Sequence, residues 1–181
     1  MFQPILGILF VAAVATIGDF IWYHFGIRQT ILAGVVHGAA LLMSVGAALG
    51  WSARHVATGV KMGLVAGVIG ALSYYALVNG VGMMTAMIGA WAVVWIALAI
   101  GEGRMLQQPR RRWLDVITRG LVAAALSGVA FYAVSSGLWG RAPAGGRNYL
   151  LQYARWIVAW APGIVTIAMP SRGTASRPAA R

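Results

Sequence analysis

The stretch that decides the fold is VATGVKMGLVAGVIGALSYYALVNGVGMMTAMIGAWAVVWIALAIG, which runs from Val56 to Gly101 and holds one charged residue, Lys61. Two parts of it, Val56–Val78 and Gly82–Gly101, are apolar for about 20 residues each, the length that an α-helix needs to cross a bilayer core of ~30 Å. Neither part alternates apolar and polar residues as the strands of a membrane barrel do. The stretch therefore predicts two successive transmembrane helices.

The same pattern extends to both sides of this stretch. Four further apolar runs are Pro4–Phe25, Thr30–Gly50, Ile117–Leu138 and Tyr149–Met169. The chain is therefore predicted to be an all-α integral membrane protein, a compact bundle of about six transmembrane helices, with three helical hairpins as one arrangement. The transmembrane domain is placed at residues 1–170. Residues 171–181 are expected to form a flexible basic cytoplasmic tail, because they offer nothing to bury.

Composition supports a membrane location and narrows the partners. The chain is 60% hydrophobic and 9% charged, whereas soluble domains carry about 25% charged residues. The bilayer is therefore the first partner that the sequence predicts. The net charge of +11 suggests nucleic acid, but we reject that interpretation because the arginines lie at the ends of apolar runs, where they set topology. Cysteine is absent, which excludes disulfides and thiol chemistry.

The distribution of Lys and Arg predicts the orientation. The connections on the side of the two termini hold nine arginines, at positions 54, 104, 110, 111, 112, 119, 172, 177 and 181, against three on the other side, at positions 28, 141 and 147. Because cytoplasmic loops carry the excess of positive charge, both termini are predicted to be cytoplasmic. A bacterial inner membrane is preferred, since no organelle-targeting segment is visible.

Small residues recur at every fourth position in two of the spans. One stripe is Gly59, Gly63, Gly67 and Ala71, and the other is Gly120, Ala124 and Gly128. Such stripes let helix backbones approach closely in lipid. Packing inside the bundle is the favoured interpretation, and docking against a partner subunit or a second copy of the chain is the alternative.

A small set of polar residues lies at one depth near the predicted outer side. Asp19, His37 and Arg155 each lie inside a span, about 10 Å below the outer surface at ~1.5 Å per residue. Polar groups within a span are costly and often functional. The set predicts an outward-facing ligand pocket built from Asp19, His37, Arg155, Gln152 and Tyr23, with further tyrosines on its walls. The alternative is an Asp19–Arg155 ion pair that only fixes the packing of the first and last helices.

Other chemistry finds little support in the sequence. Of the three histidines, only His37 lies well inside a span, whereas His24 and His55 fall near opposite interfaces, which argues against a haem held by two histidines. Three acidic residues without cysteine argue against zinc, and no paired carboxylates support acid–base catalysis. Trp91 and Trp95, one turn apart, are interpreted as packing bulk. No cofactor, metal or catalytic residue is therefore expected.

The leading hypothesis is a small multi-pass inner-membrane protein that binds or transports a small solute through the outward-facing polar pocket. The alternative is a non-catalytic accessory or scaffold subunit of a larger membrane complex, with the small-residue stripes and the basic loop around Arg110, Arg111 and Arg112 as docking surfaces. An intramembrane enzyme is least favoured, because the spans hold so few titratable groups.

Overall fold

The computed structural model describes residues 2–27, 30–105, 113–136 and 148–169, and this part of the chain contains helices and no strand. The predicted all-helical fold is confirmed. The six helices are α1 (Phe2–His24), α2 (Ile31–Ser52), α3 (Val56–Val81), α4 (Met83–Met105), α5 (Trp113–Ser136) and α6 (Tyr149–Ala168). The predicted tail, residues 171–181, lies outside the described residues.

Five of the helices, α1 to α5, are long and apolar enough to cross a membrane. The sixth, α6, carries the polar side chains of Gln152 and Arg155 in its first half and Pro162 in its second. Two neighbours, α1 and α5, pack along α6. A polar helix face can therefore be covered by protein inside the bundle rather than exposed to lipid.

The helices form a ring in chain order. Each helix packs against its neighbours in the sequence, α6 closes the ring against α1, and α2, α4 and α6 also touch one another across the centre. Consecutive helices run antiparallel. Along α1 and α2, Gly7 lies against Ala48 and Gly18 against His37, and the contacts between later neighbours reverse in the same way. The last residues of α1, α3 and α5 therefore lie at one end of the bundle, which we name the Gly82 end. The opposite end is named the Glu102 end.

The closest packing joins α2 and α3 through glycine. Gly59 lies against the backbone of Gly46, and Gly63 lies against the backbone of Leu42. A Cβ atom added at Gly63 would overlap the Leu42 carbonyl oxygen. The prediction that the α3 stripe packs inside the bundle is confirmed. The α5 stripe is used only in part, because a Cβ atom at Gly128 would meet nothing within 4 Å.

The turn between α3 and α4 consists of a single residue. Gly82 has a φ of +80° and directly follows Val81, the last residue of α3. This left-handed region costs little for glycine and is strained for residues with a Cβ atom. Gly82 therefore allows the chain to reverse direction at once and to begin α4 at Met83.

At the Glu102 end, Arg119 joins three helices. Its guanidinium donates hydrogen bonds to the carbonyl oxygens of Thr166, Ile167 and Met169 at 3.1, 2.6 and 2.6 Å, and it pairs with Glu102 at 3.7 Å. The last carbonyl groups of α6 have no hydrogen-bond donors within their own helix, and the arginine supplies these donors. The sequence placed Arg119 in a cytoplasmic connection and Glu102 at the end of a span. The structure places Arg119 inside α5 and buries Glu102 to 4% exposure.

Candidate functional site

The Asp19 side chain on α1 is held by two donors from α6. Its Oδ2 atom accepts hydrogen bonds from Gln152 Nε2 at 2.6 Å and from Trp156 Nε1 at 2.7 Å. Gln152 and Trp156 are four residues apart and therefore share a helix face. Hydrogen bonds to a carboxylate are shorter and stronger than those between neutral groups. This contact fixes the α1–α6 interface near the Gly82 end.

His37 on α2 lies beside the same turn of α1. Its ring is 5.4 Å from the ring of Trp22 in an edge-to-face arrangement. It also covers Gly18, where an added Cβ atom would lie 2.8 Å from His37 Cε1. Glycine at this position makes room for the imidazole next to Asp19. Asp19, His37 and Gln152 thus lie near one another on three helices. The common depth of Asp19, His37 and Arg155 stays a prediction.

The five predicted ligand-binding residues differ in their contacts and in their burial. Asp19 and Gln152 are bonded directly, and His37 lies next to the turn that carries Asp19. Arg155 is half-buried on α6, whereas Tyr23 is 58% exposed. Gln152 and Trp156, two donors to Asp19, lie on the helix that also carries Arg155. The Asp19–Arg155 ion pair stays a prediction. The ligand-binding roles of these residues remain predictions.

A cavity of about 260 Å³ lies between α2, α3, α4, α5 and α6. Its position along each helix places it in the half of the bundle at the Gly82 end. Of the predicted site residues, His37 lines it. Small residues make the space where larger side chains would fill it, and these are Gly34, Gly38, Gly67, Gly70, Ala71 and Ala90.

One side of the cavity is a continuous surface of aromatic rings from α4, α5 and α6, which we name the aromatic wall: Trp91, Phe131, Trp156 and Trp160. Trp91 stacks on Trp160 at 5.0 Å and 25°, and Phe131 stacks on Trp156 at 5.7 Å and 25°. Behind the wall, Trp95 is fully buried and its ring lies 5.8 Å from that of Trp160. The rings are therefore held in place by one another.

The sequence analysis missed the aromatic wall. It interpreted Trp91 and Trp95 as packing bulk, which suits Trp95 but overlooks the cavity surface that Trp91 forms. A signal was present, because Trp156 and Trp160 repeat the four-residue spacing of Trp91 and Trp95 on a second helix. What the sequence could not show is that these two helices, α4 and α6, meet at the centre of the ring.

Trp156 links the polar contact to the cavity. Its indole N–H binds Asp19, and its ring belongs to the aromatic wall. Asp19 therefore orients part of the cavity surface from behind, without being one of the residues that line it.

The tyrosines that the sequence assigned to the pocket walls have separate positions. Tyr75 lines the cavity and donates a hydrogen bond to the Thr30 carbonyl at 3.2 Å. Tyr153 donates to the Leu9 carbonyl on α1, also at 3.2 Å, and Tyr132 is 56% exposed. Tyr74, which the sequence analysis passed over, does line the cavity.

Fold and site together define a six-helix bundle suited to a membrane, with an aromatic cavity in one half. Comparison with protein-family models, with curated proteins and with solved structures finds no match to this chain. Within the described ranges, no group of three histidine or acidic side chains is arranged to hold a metal ion. The cavity and the residues around it are therefore the features that bear on function.

Proposed function

We propose that this chain is a small multi-pass protein of the bacterial inner membrane that binds or transports a small solute through its cavity. With both termini in the cytoplasm, the Gly82 end faces outward, and so does the half of the bundle that contains the cavity. The observation that carries the proposal is the cavity itself, about 260 Å³ between five helices.

The shape and the lining of this space support a binding site. The space is partly open at the surface of the bundle rather than a closed void. Ligand sites between the helices of a bundle are concave, mostly apolar and equipped with a few polar groups. This cavity combines the aromatic wall with the ring of His37, and Trp156 connects it to Asp19.

The alternative, an accessory subunit of a larger complex, relied on the small-residue stripes and on the basic loop as docking surfaces. The α3 stripe is covered by α2 within the chain, where Gly59 and Gly63 lie against backbone. That stripe therefore offers no surface to a partner. Gly128 of the α5 stripe remains open, and the basic loop lies outside the described residues.

Native mass spectrometry of the protein, extracted gently from its own membrane, tests the proposal. We expect one chain to carry one small, non-lipid adduct. The variant Ala71→Phe places a ring in the cavity and should lose the adduct, since Ala71 is part of the lining. Ala125→Phe makes the same change on the exposed face of α5 and should keep it. Ala90→Leu is a second cavity-filling variant, for use if Ala71→Phe does not fold.

The outcomes separate the two proposals. An adduct that is lost only in the cavity-filling variants supports solute binding. A chain without adduct that migrates in fixed ratio with other polypeptides would favour the accessory subunit, and the function would then lie with those partners. An adduct that persists in both cavity-filling variants would show that the cavity is not its site.

A further inference from the structure

Resting on the proposed function, we infer a ligand class for the cavity: a flat aromatic compound of one or two rings that has no negative charge and carries a hydrogen-bonding group. Three features support this class: the shape of the aromatic wall, the absence of charged residues from the described lining, and two polar side chains within that lining.

The aromatic wall is suited to a flat ring. Its neighbouring rings are inclined to one another by 25° to 31°, with centroids 5.0 to 6.3 Å apart. A planar ligand can therefore continue the series of stacked rings. Aromatic pairs with centroids 4.5–7 Å apart gain stabilisation beyond that from buried area alone. A saturated ligand of the same size would gain only the stabilisation that comes from buried area.

The lining indicates a ligand without negative charge. Among the described residues that line the cavity there is no Asp, Glu, Lys or Arg. An anion placed against this lining would lose its hydration without gaining a counter-charge, at a high cost. The Asp19 carboxylate lies behind the wall, where Gln152 and Trp156 already bind it.

Two polar groups are placed to bind the ligand at one point. His37 lies six residues after the start of α2, and Tyr74 lies seven residues before the end of α3. Because these helices are antiparallel neighbours, both side chains lie about 10 Å from the Gly82 end at ~1.5 Å per residue. Both line the cavity. In the described part of the chain, no hydrogen bond engages the His37 ring or the Tyr74 hydroxyl. Each can therefore donate to a ligand acceptor.

The volume sets the size. A cavity of about 260 Å³ falls just below the range of ~300–1,000 Å³ usual for drug-sized ligands. One or two rings fit this space, and a larger ring system or a whole lipid does not. The proposed class is therefore small enough to enter between helices at the Gly82 end.

Three two-ring compounds test the inferred ligand class. Quinoline is flat and has a ring nitrogen that accepts a hydrogen bond, whereas naphthalene is flat and has no acceptor. Decalin is saturated and puckered. The full chain in lipid nanodiscs is dialysed against each compound at neutral pH, where quinoline is uncharged. Binding is measured as the saturable amount of compound taken up beyond that in empty nanodiscs. The affinity is expressed relative to the concentration of the compound in lipid, so that differences in partitioning between the compounds cancel. We expect quinoline to bind roughly fivefold tighter than naphthalene, from one net hydrogen bond, and naphthalene roughly fivefold tighter than decalin, from stacking.

Variants assign the preference to the proposed groups. Tyr74→Phe together with His37→Leu should remove the preference for quinoline over naphthalene. Tyr132→Phe, a matched change at an exposed tyrosine on α5, should leave it intact. Ala71→Phe should abolish saturable binding of all three compounds. Native mass spectra of each variant establish that it remains folded before its binding is interpreted.

Several outcomes would overturn the ligand class. One is equal or tighter binding of decalin, and another is a quinoline preference that survives in the double variant. In either case, binding that Ala71→Phe abolishes would still support the proposed function. If none of the compounds binds, the ligand class fails, and the native adduct decides separately whether the cavity binds a solute.

Discussion

At the scale of single residues, Asp19 explains how a polar contact and an apolar cavity occupy the same half of the bundle. Its carboxylate accepts from Gln152 and Trp156 on one face of α6, and the Trp156 ring then forms part of the aromatic wall. The sequence indicated that Asp19 matters, because an acidic residue inside a span is costly. It did not indicate Gln152 and Trp156 as partners, since their contact with Asp19 depends on how α6 is rotated towards α1.

Replacing Asp19 should destabilise the fold measurably. Asp19→Ala leaves the Gln152 amide and the Trp156 indole without their acceptor, and each unsatisfied donor costs about 1–3 kcal/mol. We expect the free energy of unfolding in detergent to fall by about 2–6 kcal/mol. Asp115→Ala removes an exposed carboxylate at the start of α5 and should cost less than about 1 kcal/mol. Equal losses in the two variants would contradict this role for Asp19.

Arg119 should be equally important at the Glu102 end. Arg119→Leu removes three hydrogen bonds to the end of α6 and takes a cation away from the buried Glu102. Removing one member of a buried ion pair costs about 3–5 kcal/mol. Thermal unfolding in detergent should therefore show a large loss, whereas Arg104→Leu, at an exposed position of α4, should show little. A pair of small, similar changes would argue against the contact.

At the scale of helices, glycine sets the distance between α2 and α3. Close backbone approach is a main source of helix association in lipid, and Gly46, Gly59 and Gly63 provide it. The four-residue spacing predicted this contact from the sequence.

Hydropathy likewise located all six helices, although α4 continues four residues past Gly101 and α5 begins four residues before Ile117. Both extensions lie at the Glu102 end, where the Glu102–Arg119 pair allows charged residues to remain helical.

The glycine contact gives a prediction with a matched control. Gly63→Leu forces a side chain into the backbone of α2, so we expect the chain to misfold or to be degraded in cells. Gly128→Leu changes the same residue type on α5, where an added Cβ meets nothing within 4 Å, and should be accepted. The amount of folded protein recovered by size-exclusion chromatography measures the difference. Normal recovery of Gly63→Leu would show that α2 and α3 are not so close.

At the scale of the whole molecule, the ring arrangement creates the cavity. It forms where α2, α4 and α6 meet at the centre with α3 and α5 beside them. The sequence could predict the helices, but not the cavity. That space depends on which helices meet across the ring, and a single sequence does not contain this information. The residues of the aromatic wall are 65 or more positions apart between α4 and α6, so no local pattern joins them.

The proposed orientation can be tested directly, because the natural chain contains no cysteine. Met83→Cys places one thiol at the Gly82 end, and His55→Cys places one at the Glu102 end, both at exposed positions. With both termini in the cytoplasm, a membrane-impermeant maleimide should label Met83→Cys in intact cells. It should label His55→Cys only after the membrane is permeabilised. The reverse pattern would place the cavity on the cytoplasmic side.

The most direct test of solute binding is a high-resolution structure of the protein purified from its own membrane without added ligand. Our account predicts density for one small molecule in the cavity, lying along the aromatic wall of Trp91, Phe131, Trp156 and Trp160 and reaching towards His37. Density for a lipid acyl chain at this position, or helices that close together with no molecule between them, would contradict the account.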